Sequence, residues 1–491
     1  MKTARYDLVI IGAGPAGIAA ALHAKAAGLK ILLAERDRPG GCCLNRGCIP
    51  LKAFISSAHD RSTSGFSKEH ANSVLAQARE ARQYQADALE KDFLRAGIEV
   101  KRAAIKIVAA TCLLISTHEG LEEVIETRAI LVATGSSPRF PAIEGLDLPL
   151  VHSVEGFFDS CTSIPPSAVI VGAGPAGIEM ADALNALGVD VHLIEQEEGI
   201  LPGWPRLGAR RLQDILARRR VEFLCSSRLT GLEQIKDGTS LRLQYQKGDE
   251  IKKLQTQALI LAAGRKPALK GLFDGELATH SEGMLGPGGH ILVDEAQKTA
   301  LPGLWAAGDV CRPREEKGWK GDDAVRARME GERAADSIIA SLTGVAFKPL
   351  PLPPCLRLVH CRPSLALVGD PQIETDTRVE GRAWTSANPA AWIEGDREGF
   401  VRLVFDGPQN GYPLCGAEIL ANRAGELVTS LAIAMEAGFD AERLDALPAP
   451  HPGYGELIPR AATRALRQTQ SGPTGPGRNT PSGPSPPQDG A

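Results

Sequence analysis

The heptapeptide GAGPAGI stands at Gly12–Ile18 behind the run DLVII (Asp7–Ile11), and it returns unchanged at Gly172–Ile178 behind SAVIV (Ser167–Val171). Each copy opens an alanine-rich stretch of helical pattern. Each is followed by an apolar run closing on an acid, ILLAE at Glu35 and VHLIE at Glu195, and the acids keep the 160-residue offset of the loops. One glycine-rich turn is a weak signal, whereas two copies with strand before, helix after and an acid about 20 residues on form a strong one. Gly12 and Gly172 permit the tight turn, Gly14 and Gly174 let the backbone approach a pyrophosphate, and Gly17 and Gly177 allow close helix–strand packing. The helix N-terminus then offers free N–H groups to phosphates, and Glu35 and Glu195 accept from ribose hydroxyls. Two such sites predict two dinucleotides. Gln196, Glu197 and Glu198 follow Glu195 with no nearby arginine for a 2′-phosphate, which favours NAD over NADP at the second site.

The run GGCCLNRGCIPLK (Gly40–Lys52) follows the first loop and places Cys43 and Cys48 beside a nucleotide. In a regular helix residues five apart rise by roughly 7.5 Å, beyond the roughly 7 Å a disulfide spans. A bridge therefore needs an irregular helix entry, which Gly40, Gly41, Gly47 and Pro50 allow. Two buried structural thiols are the bland alternative, weakened by the flanking glycines and the upstream nucleotide loop.

At 491 residues, several domains are expected. A net charge of -4 leaves no basic footprint, and 4% aromatic residues leave few stacking platforms, so nucleic acid is not an expected partner. Ten cysteines are too sparse for a secreted disulfide scaffold and form no CxxC pair, so no metal site is expected. The apolar N-terminal run is interrupted by glycines and proline, and no segment approaches 18 uninterrupted apolar residues. The expectation is a cytoplasmic protein without a membrane span.

Further segments predict an α/β architecture of two Rossmann-like dinucleotide-binding domains, one inserted in the other. AILVATGSSPR (Ala129–Arg139), with Thr134 and Gly135, reads as a buried strand ending in a glycine turn, and ALILAAGRKP (Ala258–Pro267), with Gly264 and Arg265, as its counterpart. LPGLWAAGDV (Leu301–Val310) is another strand, ending in Gly308 and Asp309. The expected order is a first domain over 1–150 and 268–350, split by a second over 151–267. A C-terminal α+β domain over 351–467 and a disordered Pro/Gly-rich tail over 468–491 follow.

Together these residues resemble the pyridine nucleotide–disulfide oxidoreductase family, most closely its dihydrolipoamide dehydrogenase branch, from about Tyr6 to about Arg467. GGCCLNRGCIPLK stands where the family reads GGTCLNVGCIPSK, and HPGYGE (His451–Glu456) where it reads HPTxSE. The resemblance implies a homodimer with shared active sites and a Cys43–Cys48 redox disulfide. FAD is implied at Gly12, Gly14, Gly17, Glu35, Thr134, Gly135, Gly308 and Asp309, and NAD at Gly172, Gly174, Gly177, Glu195, Gly264 and Arg265. It further implies Cys43 as the thiol that meets substrate and Cys48 as the charge-transfer thiolate against the flavin. The partner's His451 becomes the base, oriented by Glu456, and Lys52 pairs with Glu179 near the flavin edge. A histidine backed by a carboxylate can take and return a thiol proton.

The implied function is oxidation of a protein-bound dihydrolipoyl group with reduction of NAD. The lipoyl-bearing partner would come from a 2-oxoacid dehydrogenase, a glycine cleavage system or a related system. The alternatives are an NAD(P)H-dependent reductase of another disulfide or of a metal ion, and a flavoprotein redox sensor or scaffold in a larger complex. Three departures stand out: Cys42 replaces a threonine, Arg46 a valine, and Gly453 and Gly455 a threonine and a serine. Arg46 is expected to be solvated or, more sharply, to lower a thiol pKa or contact an acidic group on the carrier. The two glycines are expected to loosen support around His451.

Overall fold

The computed structural model describes residues 4–470 apart from 61–65, 110, 118–119, 236–237, 274–282, 316–322, 374, 376 and 408–410. The Pro/Gly-rich segment from 471 lies outside the described residues. The expected tail boundary at 468 falls inside a helix, Leu457–Gln470.

Strands β1 (Ala4–Ile11) and β2 (Ile31–Glu35) run parallel with Leu8 opposite Ile31. β2 pairs parallel with β3 (Val100–Ala109), which turns back through β4 (Cys112–Thr117) into β5 (Glu122–Val132). β5 returns alongside β1, Leu8 opposite Ala129, and takes the later strand Leu304–Ala306 on its other side. Leu8, Val9, Ile10, Leu32 and Leu33 are fully buried, as strands covered on both faces should be. Helix α1 (Pro15–Ala26) packs against the long helix Ala324–Thr343, where a Cβ on Gly331 would stand 2.1 Å from the Ala16 carbonyl oxygen.

The redox segment forms two short helices with a break between them, α2 (Gly41–Asn45) and α3 (Cys48–Asp60). Gly40 (φ 101°) and Gly41 (φ 57°) take the left-handed entry, and Arg46 (φ -140°) ends α2. This is the irregular entry that the cysteine spacing demands. Helix α4 (Lys68–Ala96) buries Ala71, Val74, Leu75 and Ala78 against α3 and α5 (Val154–Ser160).

A second parallel sheet orders its strands Glu222–Leu224, Asp190–Ile194, Ser167–Val171, Leu259–Leu261 and Val151–Ser153, and helix α6 (Pro175–Ala186) follows its glycine loop. Helix α7 (Arg206–Arg218) lies farther along the same unit. A five-stranded antiparallel sheet near the C-terminus has strands Leu356–Val359, Ser364–Gly369, Leu414–Ala421, Phe400–Phe405 and Val379–Trp384 in spatial order. Among the described residues no helix is long and apolar enough to cross a membrane.

Candidate active site

The two glycine loops superimpose in their chemistry. Gly12 (φ 106°) and Gly172 (φ 105°) each donate to the end of the next strand, Ala34 and Ile194, both at 2.8 Å. A Cβ on Gly17 or Gly177 would fall 1.8 or 2.0 Å from the carbonyl oxygen of Gly12 or Gly172, so the third glycine is enforced by its own loop. Pro15 and Pro175 start the helices, where a missing N–H costs nothing. Glu35 accepts from the N–H groups of Ala13 and Asp37, both at 2.9 Å, and Glu195 from Ala173 at 2.6 Å and Glu197 at 3.0 Å.

Several features fit a dinucleotide at these loops. Around Gly174 nothing lies within 4 Å of an added Cβ, leaving open room where a phosphate must approach the backbone. Thr134 Oγ1, beside Gly12, is buried without a hydrogen-bond partner among the described residues. Asp309 accepts from Ser136 Oγ at 2.6 Å, and the Gly308 N–H donates to buried Glu330 at 3.0 Å. Glu330 is a neighbour of the Gly308–Asp309 turn that no local motif announces; burial raises its pKa against the pull of Arg326. Arg265, expected on the NAD side, turns toward the flavin-type residues. It donates to Ser136 Oγ at 2.7 Å, stands 3.8 Å from Asp309, meets Cys42 Sγ at 3.6 Å and pairs with Glu155. Gly135 and Gly264 both take left-handed turns, φ 65° and 89°, at the start of the paired strands Ser136–Pro138 and Arg265–Pro267.

The redox loop is seated on the first glycine loop. The Gly40 N–H donates to Ala13 O at 2.7 Å, and a Cβ on Gly41 would lie 2.7 Å from the Gly14 Cα. Cys43 and Cys48 are free thiols here. Cys43 donates to Cys48 and is pushed far up by that bond and by burial. Cys48, receiving that bond and attracted by the Lys52 cation, is lowered to about 7 despite its own burial. Neighbouring thiols thus split into a held proton and a ready thiolate. Lys52 Nζ donates to Glu179 Oε2 at 2.6 Å, and burial raises the pKa of Glu179, which is 3% exposed at the side chain.

Arg46 corrects the sequence expectation. It stays partly solvated, 38% exposed at the side chain, and is aimed not at a sulfur but at two carboxylates, bonding Asp37 at 2.6 Å and Asp159 at 3.2 Å. Arg82 from α4 meets Asp159 at 2.6 Å, so the segment between the cysteines is clamped to the β2 loop and to α5. Cys42 rises in pKa through burial and faces Arg265.

His451 Nδ1 lies 3.0 Å from Glu456 Oε1, with the imidazole side chain 72% exposed. Desolvation pushes the Glu456 carboxyl up, but the Gly453 N–H, His451 and Arg460 together hold it below the ordinary range. Arg460 donates to Glu456 at 2.7 Å, and Asn388 Nδ2 donates to Gly453 O at 2.9 Å. The support expected to be loosened by Gly453 and Gly455 is thus supplied from outside the motif. Within one chain no bond among the described residues joins His451 to the thiols.

The sequence profile of the family described as Pyridine nucleotide-disulphide oxidoreductase matches residues 6–331, and that of its dimerisation domain matches 357–462. The chain belongs to this family. Among its relatives, the Dihydrolipoyl dehydrogenase of Chlorobaculum parvum (strain DSM 263 / NCIMB 8327) is 29% identical, covering 95% of this chain and 98% of its own. Dihydrolipoyl dehydrogenase 3 of Pseudomonas putida is 28% identical over 93% and 97% of the two chains. LpdA from Mycobacterium tuberculosis shares the fold at a TM-score of 0.80, with 24% identity and 94% and 99% coverage. The HOCl-induced flavoprotein disulfide reductase RclA from Escherichia coli does so at 0.80, with 22% identity and 93% and 99% coverage. The chain is therefore a class I, dihydrolipoyl dehydrogenase-like oxidoreductase that acts on sulfur groups and uses FAD and NAD(P). Its dimerisation domain supports a homodimer.

Proposed function

We propose that the chain is a dihydrolipoyl dehydrogenase, oxidising a protein-bound dihydrolipoyl group and reducing NAD. The observation that carries the reading is Cys43 and Cys48 beside the Lys52–Glu179 pair at 2.6 Å, with the His451–Glu456 pair at 3.0 Å, in a chain 28–29% identical along its length to dihydrolipoyl dehydrogenases. In the oxidised form, a dihydrolipoyl thiolate attacks Cys43 Sγ of the disulfide and Cys48 leaves as the thiolate. A low leaving-group pKa favours that step. The second substrate thiolate attacks the mixed disulfide, releasing the lipoyl disulfide while Cys43 takes one proton. The other proton rests on Nε2 of His451 of the partner subunit, whose Nδ1 is oriented by Glu456. Bound FAD supplies the two-electron relay from dithiol to nicotinamide that side chains lack. Glu35, Thr134, Gly308 and Asp309 would hold FAD. Glu195, followed in the sequence by Gln196, Glu197 and Glu198, would hold an unphosphorylated ribose of NAD at Gly172, Gly174 and Gly177. The carrier would be the lipoyl-bearing protein of a 2-oxoacid dehydrogenase, glycine cleavage or related system, met in the cytoplasm.

Complementation tests the shared site. Cys43→Ser and His451→Gln homodimers should each be inactive toward dihydrolipoamide. After subunit exchange, half the dimers are mixed and each carries one intact site, so about a quarter of wild-type activity should return. No recovery despite demonstrated exchange would refute a site shared between subunits.

A further inference from the structure

Beyond the redox pair, one face of α3 carries Lys52, Ser56 and His59, which form a wall of a cavity of about 480 Å³. The opposite wall comes from the loop around His360 and Arg362 and from Asn422 and Arg423 of the dimerisation domain. Two buried carboxylates of α6 brace the cavity from behind. Glu179 holds Lys52 and the His360 N–H, the latter at 2.9 Å. Asp182, 1% exposed at the side chain, holds His59 at 2.6 Å and the Arg362 N–H at 3.1 Å.

The donors that remain are lavish. Each guanidinium carries five N–H donors. Arg362, 51% exposed, donates to His59 O at 3.4 Å and stands 3.8 Å from Asp60. Arg423, 55% exposed, meets Glu394 at 3.0 Å. Glu394 is the one carboxylate among the cavity-lining residues, and the Tyr454 hydroxyl also donates to it, at 3.3 Å. The His360 ring makes no hydrogen bond among the described residues; burial, with Lys52 nearby, lowers its pKa to about 4, so it adds a neutral polar group.

We propose that this cavity is a binding site for a small, multiply charged organic oxyanion, gripped by the Arg362 and Arg423 guanidiniums. Planar guanidinium forks match carboxylate and phosphate oxygens in pairs. The volume falls within the roughly 300–1,000 Å³ range of small-molecule sites. Neither the glycine loops nor the two thiols line the cavity, although Lys52, which does, also acts on Cys48. Tyr454, within the His451–Glu456 motif, ties its outer wall to that motif, and Lys52 ties its inner wall to the redox helix.

Calorimetric titration of citrate, and separately of pyrophosphate, into the flavin-loaded full-length protein at fixed ionic strength tests the site. Saturable binding near one per chain is expected, weakened tenfold or more in the Arg362→Gln/Arg423→Gln double variant and unchanged in Arg5→Gln. Binding of citrate alone identifies a carboxylate ligand, and of pyrophosphate alone a phosphate ligand. Should the double variant fail to fold, Arg362→Lys and Arg423→Lys, which keep the charge and lose the fork, must each weaken binding. Absence of saturable binding for both probes, or binding unaffected by these substitutions, overturns the proposal.

Discussion

Removing the proton donor from the thiol pair should return Cys48 to an ordinary thiol. Cys48 falls from the usual 9.0 to about 7 chiefly because Cys43 donates a hydrogen bond to its thiolate, with the Lys52 charge helping and burial opposing. A shift of two units corresponds to about 3 kcal/mol, near the upper end of the roughly 1.5–3 kcal/mol expected for a hydrogen bond to a charged group. In Cys43→Ala that bond is lost while burial remains, so the pKa should climb back to 9 or above. At pH 7 the thiolate would drop from about half the population to roughly a hundredth. Cys43→Ser retains a donor and should keep Cys48 close to its wild-type value. Ultraviolet thiolate absorbance against pH, on the reduced proteins under anaerobic conditions, reads both. A Cys43→Ala titration still centred near 7 would refute the reasoning and assign the shift to Lys52.

Other substitutions separate the remaining parts of the account. Gly17→Ala drives a Cβ into the Gly12 carbonyl and should cost about 1–3 kcal/mol and most of the bound flavin, whereas Gly174→Ala has room, folds normally and weakens only NADH binding; flavin content and NADH titration distinguish them. Arg46→Val loses two half-exposed ion pairs worth about 0.2–1 kcal/mol each, so thermal stability should fall slightly while the Cys48 titration stays put. Lys52→Met leaves Glu179 buried without its cation. With its folded pKa raised further above the unfolded value, the stability loss should be smallest near pH 4.5 and grow as pH rises, seen as a widening Tm gap from wild type between about pH 5 and 8.

What the sequence made legible is what local backbone chemistry enforces. Gly17 and Gly177 are written into the chain because a side chain there would strike the carbonyl oxygen of Gly12 or Gly172 in the same loop, and Gly12 and Gly172 because their turn needs a positive φ. The break between α2 and α3 follows from five-residue cysteine spacing and the glycines around it. His451 and Glu456 are close enough in sequence for their contact to be read directly. Long-range partners were not legible. Arg46 finds Asp159 113 residues away, and Arg265 reaches Cys42 across 223 residues, contacts that only the packed sheets create. Glu330 behind Gly308, and Asp182 behind His59, belong to helices whose local patterns show ordinary surface or core positions. Helix α4 carries a weak sequence signal because its apolar stripe is short and much of its length is polar.

The most direct test of the central claim is anaerobic reduction of NAD by dihydrolipoamide with the flavin-loaded protein and its Cys43→Ser variant. The account predicts rapid turnover in the wild type and none in the variant. Failure of the wild type to turn over, with bound FAD and flavin reduction by NADH intact, would contradict it and assign the thiol pair to another substrate.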